Sequence, residues 1–206
     1  MHRYLTTGYW ALVLGGLLLA LGAGLSLTVP GPLSHQALNG AFVAGAVLRL
    51  VGTAAIIVGF GALATRQSDS AGRFGLIAYL LVIASLVLHA GWMFSDAFIS
   101  GALAAHAPGI LDGTLPDDRI GLAAMVGWLA NAAVIVLAVA TLRARTFPRL
   151  VGWSLAIMGG VTLLPLPFDG PVYEMVIGAA CALAGWGARR APDPLMTLDA
   201  EPLQRV

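Results

Sequence analysis

The 206-residue chain contains no lysine; its eleven basic residues are all arginine. A retinal Schiff base, a lysine–pyridoxal aldimine and a P-loop lysine are therefore excluded, because each needs an amine. It has a single cysteine, Cys181, set in an apolar run. An intrachain disulfide, a CxxC redox pair and a thiolate metal site are excluded with it, and the residue reads as a small buried hydrophobe. Charged residues make up only 10% of the chain, against about 25% in a soluble domain. The net charge of +1 offers nothing to a nucleic acid. No HExxH spacing, G-x-S-x-G elbow or phosphate-binding glycine loop is present, so no metal and no cofactor is expected.

What the chain has is apolar residues: 59% of the total, with a mean hydropathy of +0.88. Neither a soluble domain nor a disordered chain has this composition. It reads as an all-α integral membrane bundle. Six apolar runs stand out: Tyr9–Val29, Ala41–Ala64, Phe74–Phe94, Ile120–Leu142, Leu150–Leu164 and Val172–Ala188. All but the fifth can cross about 30 Å of hydrocarbon at 1.5 Å per residue. The first is longer than a signal-peptide core and is read as a span.

Arginine is concentrated in alternate loops. Arg3, Arg66, Arg73, Arg143, Arg145, Arg149, Arg189 and Arg190 fall on one side; the opposite loops hold Asp112, Asp117, Asp118, Asp169 and only Arg119. Positive charge marks the cytoplasmic side. Six spans with both termini in the cytoplasm are therefore expected, in the inner membrane of a bacterial cell. Residues 1–190 form one transmembrane domain, and 191–206, with three prolines and mixed charge, a mobile cytoplasmic tail. Gly15, Gly16, Gly159, Gly160, Gly178, Ala182 and Gly185 read as small residues for close helix packing.

The fifth run is short. Its fifteen residues reach only about 22 Å, after which Pro165 and Pro167 stop the helix. The 165–171 connection is expected to dip below the outer interface and help line a cavity.

Ionisable residues inside spans are costly and are functional candidates by default. They are Arg49, His89, Asp96 and Glu174, with Asn131 as a neutral companion. Counted from the cytoplasmic end of each run, Arg49, His89, Glu174 and Trp128 lie about 21–22 Å up, Asn131 about 16 Å and Asp96 about 33 Å. Ser85, His89, Trp92 and Asp96 share one helical face by their spacing. The expected site is an outward-facing pocket lined by Arg49, His89, Trp92, Asp96, Trp128, Asn131 and Glu174. Arg49 should face the bundle interior with Glu174 as first partner, because Asp96 stands about 11 Å higher on the same count.

The lone arginine of the second span, Arg49, and the span start Pro148-Arg149-Leu150-Val151-Gly152-Trp153 resemble a group of small polytopic bacterial membrane proteins of unknown function. That resemblance implies the layout and carries no activity. Three functions suit the residues: binding or transport of a small or lipid-like ligand, an intramembrane enzyme acting on a lipid or isoprenoid by acid–base chemistry, and an accessory subunit of a membrane complex or homo-oligomer. The bilayer itself is the first partner.

Overall fold

The computed structural model describes residues 2–113, 132–163 and 170–191, and every regular element among them is helical. The helices are α1 (His2–Leu27), α2 (Leu33–Gln36), α3 (Gly40–Phe98), α4 (Ser100–His106), α5 (Pro108–Leu111), α6 (described over Ala132–Ala144), α7 (Arg149–Leu163) and α8 (Gly170–Arg189). Three of them, α1, α3 and α8, are long and apolar enough to cross a membrane.

At 59 residues α3 would be about 88 Å long if straight. It reverses at Gly72, whose φ of 59° and ψ of −169° lie in a region essentially reserved for glycine. Two contacts prove the reversal. Tyr79 Oη donates to Gln67 Oε1 at 2.8 Å, and Arg49 Nη2 lies 3.6 Å from Asp96 Oδ2. Both pairs are centred on the Gly72 turn, so α3 is an antiparallel hairpin. The loop expected between Ala64 and Phe74 is instead helix on both sides of Gly72. No proline interrupts residues 40–98, and only Gly72 releases the backbone from the helical basin.

Helix α1 is the central post, and glycines let its neighbours approach. Gly8, Gly15 and Gly22 face Gly59, Gly52 and Gly45 of α3, a seven-residue spacing running in opposite directions. A methyl on Gly15 would stand 2.6 Å from the Gly52 carbonyl oxygen, and one on Gly52 would stand 2.8 Å from the Gly15 oxygen. On a second face Gly16 meets Gly178 of α8, and Gly185 packs on the Tyr9 backbone. Both neighbours are thus antiparallel to α1. Of the glycines expected to pack helices, Gly160 meets nothing among the described residues. Leu12, Ile56, Phe60, Leu63, Leu137 and Leu155 fill the core between these helices, and Cys181 is 1% exposed within it.

One end of the bundle gathers the start of α1, the Gly72 turn, the α6–α7 link and the end of α8. Tyr9 meets Phe147 edge-on at 6.3 Å, Thr141 donates to Gln67, and Arg189 lies over Trp10. The other end carries a small cap of α2, α4 and α5. Val29, Ala37, Phe42 and Ala104 form its apolar centre. Asp112 ties it down by accepting from the Ser34 backbone N–H at 3.0 Å and from the Ser34 hydroxyl at 2.7 Å.

A candidate functional site around Arg49

Arg49 sits on the first arm of α3, where a straight apolar helix carries it into the bundle at 4% exposure. Its position is made possible by α1. A methyl on Gly22 would stand 2.5 Å from the Gly45 oxygen and 2.8 Å from Arg49 Cγ, so the absence of a side chain there gives room to the arginine stem. Helix α8 packs on the neighbouring face of α1, with Met175 near Gly24. This brings Glu174 to the same level. Arg49 Nη1 donates to Glu174 Oε2 at 3.1 Å, bridging α3 and α8, which otherwise touch little. The expectation that Arg49 faces inward with Glu174 as its hydrogen-bonded partner matches this geometry.

The expectation for Asp96 needs correction. It was placed about 11 Å above Arg49, yet its Oδ2 lies 3.6 Å from Arg49 Nη2. The count failed because it took Ala64 and Phe74 as level ends. Counted from the actual turn, Arg49 is twenty-three residues before Gly72 and Asp96 twenty-four after it, so the two stand level. At 3.6 Å this is an ion pair without a hydrogen bond. One guanidinium thus serves two carboxylates from two helices, with side chains only 5%, 14% and 10% exposed for Arg49, Glu174 and Asp96.

The guanidinium is also incompletely used. Nε and Nη2 are buried and have no hydrogen-bond partner among the described residues. The Phe42 ring, part of the cap, lies with its centroid 5.8 Å from Arg49 Cζ. The site is therefore a buried cation with two acids, an aromatic face from the cap, and two nitrogens, Nε and Nη2, that make no hydrogen bond to a described residue.

His89 and Ser85 are half-buried on the second arm of α3. Trp92 is 56% exposed. It stands on the outer surface of the bundle rather than on the buried face with Asp96, so the stripe Ser85–His89–Trp92–Asp96 straddles the edge between core and exterior. Trp128, Asn131 and most of the 165–171 connection lie outside the described residues.

Sequence reasoning missed a second polar cluster. Gln67 is fully buried, and its Oε1 accepts from Tyr79 Oη at 2.8 Å and from Thr141 Oγ1 at 3.2 Å. Nearby the Ser70 and Thr146 hydroxyls lie 2.7 Å apart. These bonds pin α6 and the α6–α7 link to the turn of α3. Assigning 65–73 to a loop hid this cluster; the flanking of Gly72 by Gln67 and Tyr79 was the available signal.

A scan against protein-family models finds no match, and searches of curated proteins and of solved structures find no similar chain.

Proposed function

We propose that this chain is a six-span membrane protein that binds or carries a small amphipathic ligand with an anionic head, held by Arg49. The observation that carries the reading is the buried guanidinium with Nε and Nη2 unpartnered while Nη1 alone is bonded, to Glu174. A buried charged group usually saturates its donors, because each one left bare costs about 1–3 kcal/mol or more. Two adjacent free N–H groups fit the two oxygens of a carboxylate or phosphate. Phe42 supplies an apolar face beside them.

The topology in this reading has α1, the two arms of α3, α6 with residues before it, α7 and α8 as the six spans. The end that gathers the Gly72 turn and the α6–α7 link is rich in arginine and faces the cytoplasm. An acid–base enzyme acting on a lipid is supported by one feature only: Asp96 is not hydrogen-bonded by Arg49.

The test uses purified protein in detergent with dodecanoate and, as control, dodecanol. Dodecanoate should raise the thermal midpoint of the native chain and the alcohol should not. Arg49→Met should remove the difference. Equal shifts from both compounds would show that the anionic head is not recognised.

A further inference from the structure

A second cationic site lies at the opposite end of the bundle from the cap. Arg189, in the last turn of α8, has its guanidinium carbon 3.9 Å from the ring centroid of Trp10 on α1 and 5.4 Å from that of Trp186. Arg190 lies 5.1 Å over Trp186. Stacking on an indole uses the face of a guanidinium and leaves its N–H edge free. Neither arginine makes a side-chain hydrogen bond or ion pair to another described residue, and both are exposed. No acid occurs in residues 2–27 or 175–191.

Arginine at the end of a helix is expected from the helix dipole and from the positive side of the membrane. Neither effect asks for two indoles, from two helices, to gather on one guanidinium. Nor do they account for what continues from it. Trp10 is followed on the same face of α1 by Leu14, Leu17 and Leu21, which are 54%, 49% and 64% exposed, and Leu183 of α8 is 48% exposed. A polar clamp at the interface thus leads into an apolar strip running into the bilayer. A free phosphate would use the clamp alone; a phospholipid uses both parts.

We propose that the α1–α8 junction at the Trp10–Arg189 end binds the phosphodiester head of an anionic phospholipid, with Arg189 and Arg190 on the phosphate and the acyl chain along Leu14, Leu17 and Leu21. The site is independent of the Arg49 reading.

The test is native mass spectrometry of the purified full chain titrated with phosphatidylglycerol, phosphatidylcholine and glycerol 3-phosphate. The chain should prefer phosphatidylglycerol to phosphatidylcholine. Arg189→Gln should weaken that preference about fivefold, the size expected for one interfacial arginine. Arg189→Lys should weaken it too, because lysine keeps the charge but loses the planar stack. Arg143→Gln, the same charge change at an exposed site near the same end of the bundle, should leave it intact. Thermal midpoints of the variants show that each is folded. An equal loss in Arg143→Gln, full retention in Arg189→Lys, or no preference in the native chain would overturn the proposal. Glycerol 3-phosphate binding as tightly as the lipid would overturn the lipid assignment.

Discussion

The sharpest prediction concerns the two acids that share Arg49. Glu174 receives a charge-assisted hydrogen bond at 3.1 Å, whereas Asp96 offers only an ion pair at 3.6 Å. Glu174→Gln keeps an acceptor but removes the charge from the bond, which should cost about 1.5–3 kcal/mol. Asp96→Asn removes no hydrogen bond and leaves Arg49 neutralised by Glu174, so its cost should be smaller than that of Glu174→Gln. The double substitution is different in kind. It leaves a guanidinium 4% exposed with no counter-charge, and breaking a buried pair outright costs about 3–5 kcal/mol. The two single effects should therefore sum to less than the double effect. Replacing the arginine together with both acids, Arg49→Met with Glu174→Gln and Asp96→Asn, should recover stability relative to the Glu174→Gln/Asp96→Asn double, because no unpaired charge remains. The assay is equilibrium unfolding in bicelles, compared across the cycle. If Asp96→Asn costs as much as Glu174→Gln, or if the triple Arg49→Met/Glu174→Gln/Asp96→Asn is no better than the Glu174→Gln/Asp96→Asn double, the pairing assigned to this site is wrong.

Topology reporters fused after residues 68 and 145 should read cytoplasmic and one after 113 should read external; an external reading at 145 would overturn the span count. Gly52→Leu should destabilise the bundle by at least about 1–3 kcal/mol through overpacking, since even its first carbon would meet the α1 backbone, whereas Gly160→Leu should be near neutral; equal losses would refute the glycine interface. The hydrogen bonds from Ser34 hold the Asp112 carboxyl below the usual carboxylate range. A depressed folded pKa adds stability above the unfolded value of about 3.9 and loses it as pH falls through the folded value. Amide exchange in α2 should therefore accelerate only in that acid range, and Asp112→Asn should abolish the pH dependence.

The all-helical build, with helices apolar enough to cross a membrane, was legible because apolar run length is a direct physical signal. The Arg49–Glu174 pair was legible because residues on neighbouring helices meet when they are equally far from a shared end of the bundle. Asp96 was misplaced because the helices continue past the hydrophobic runs to Gly72, and hydropathy reports where the bilayer ends rather than where a helix does. Gln67 was hidden by the same error. The packing role of Gly15, Gly16, Gly178 and Gly185 was readable from composition. The seven-residue match of Gly8, Gly15 and Gly22 to Gly59, Gly52 and Gly45 needed the hairpin to reveal which glycines face each other. Trp92 was drawn to the site by its spacing from His89 and Asp96, yet an i, i+7 stripe is wide enough to span the boundary between core and surface.

The central claim is that Arg49 keeps two donors for a ligand's anionic head. A high-resolution map of the protein in lipid with dodecanoate present tests it most directly. The account predicts carboxylate density on Arg49 Nε and Nη2, with Nη1 still on Glu174. A map in which Asp96 closes onto Nη2, Nε is likewise satisfied by the protein, and no dodecanoate density lies beside Phe42 would contradict it.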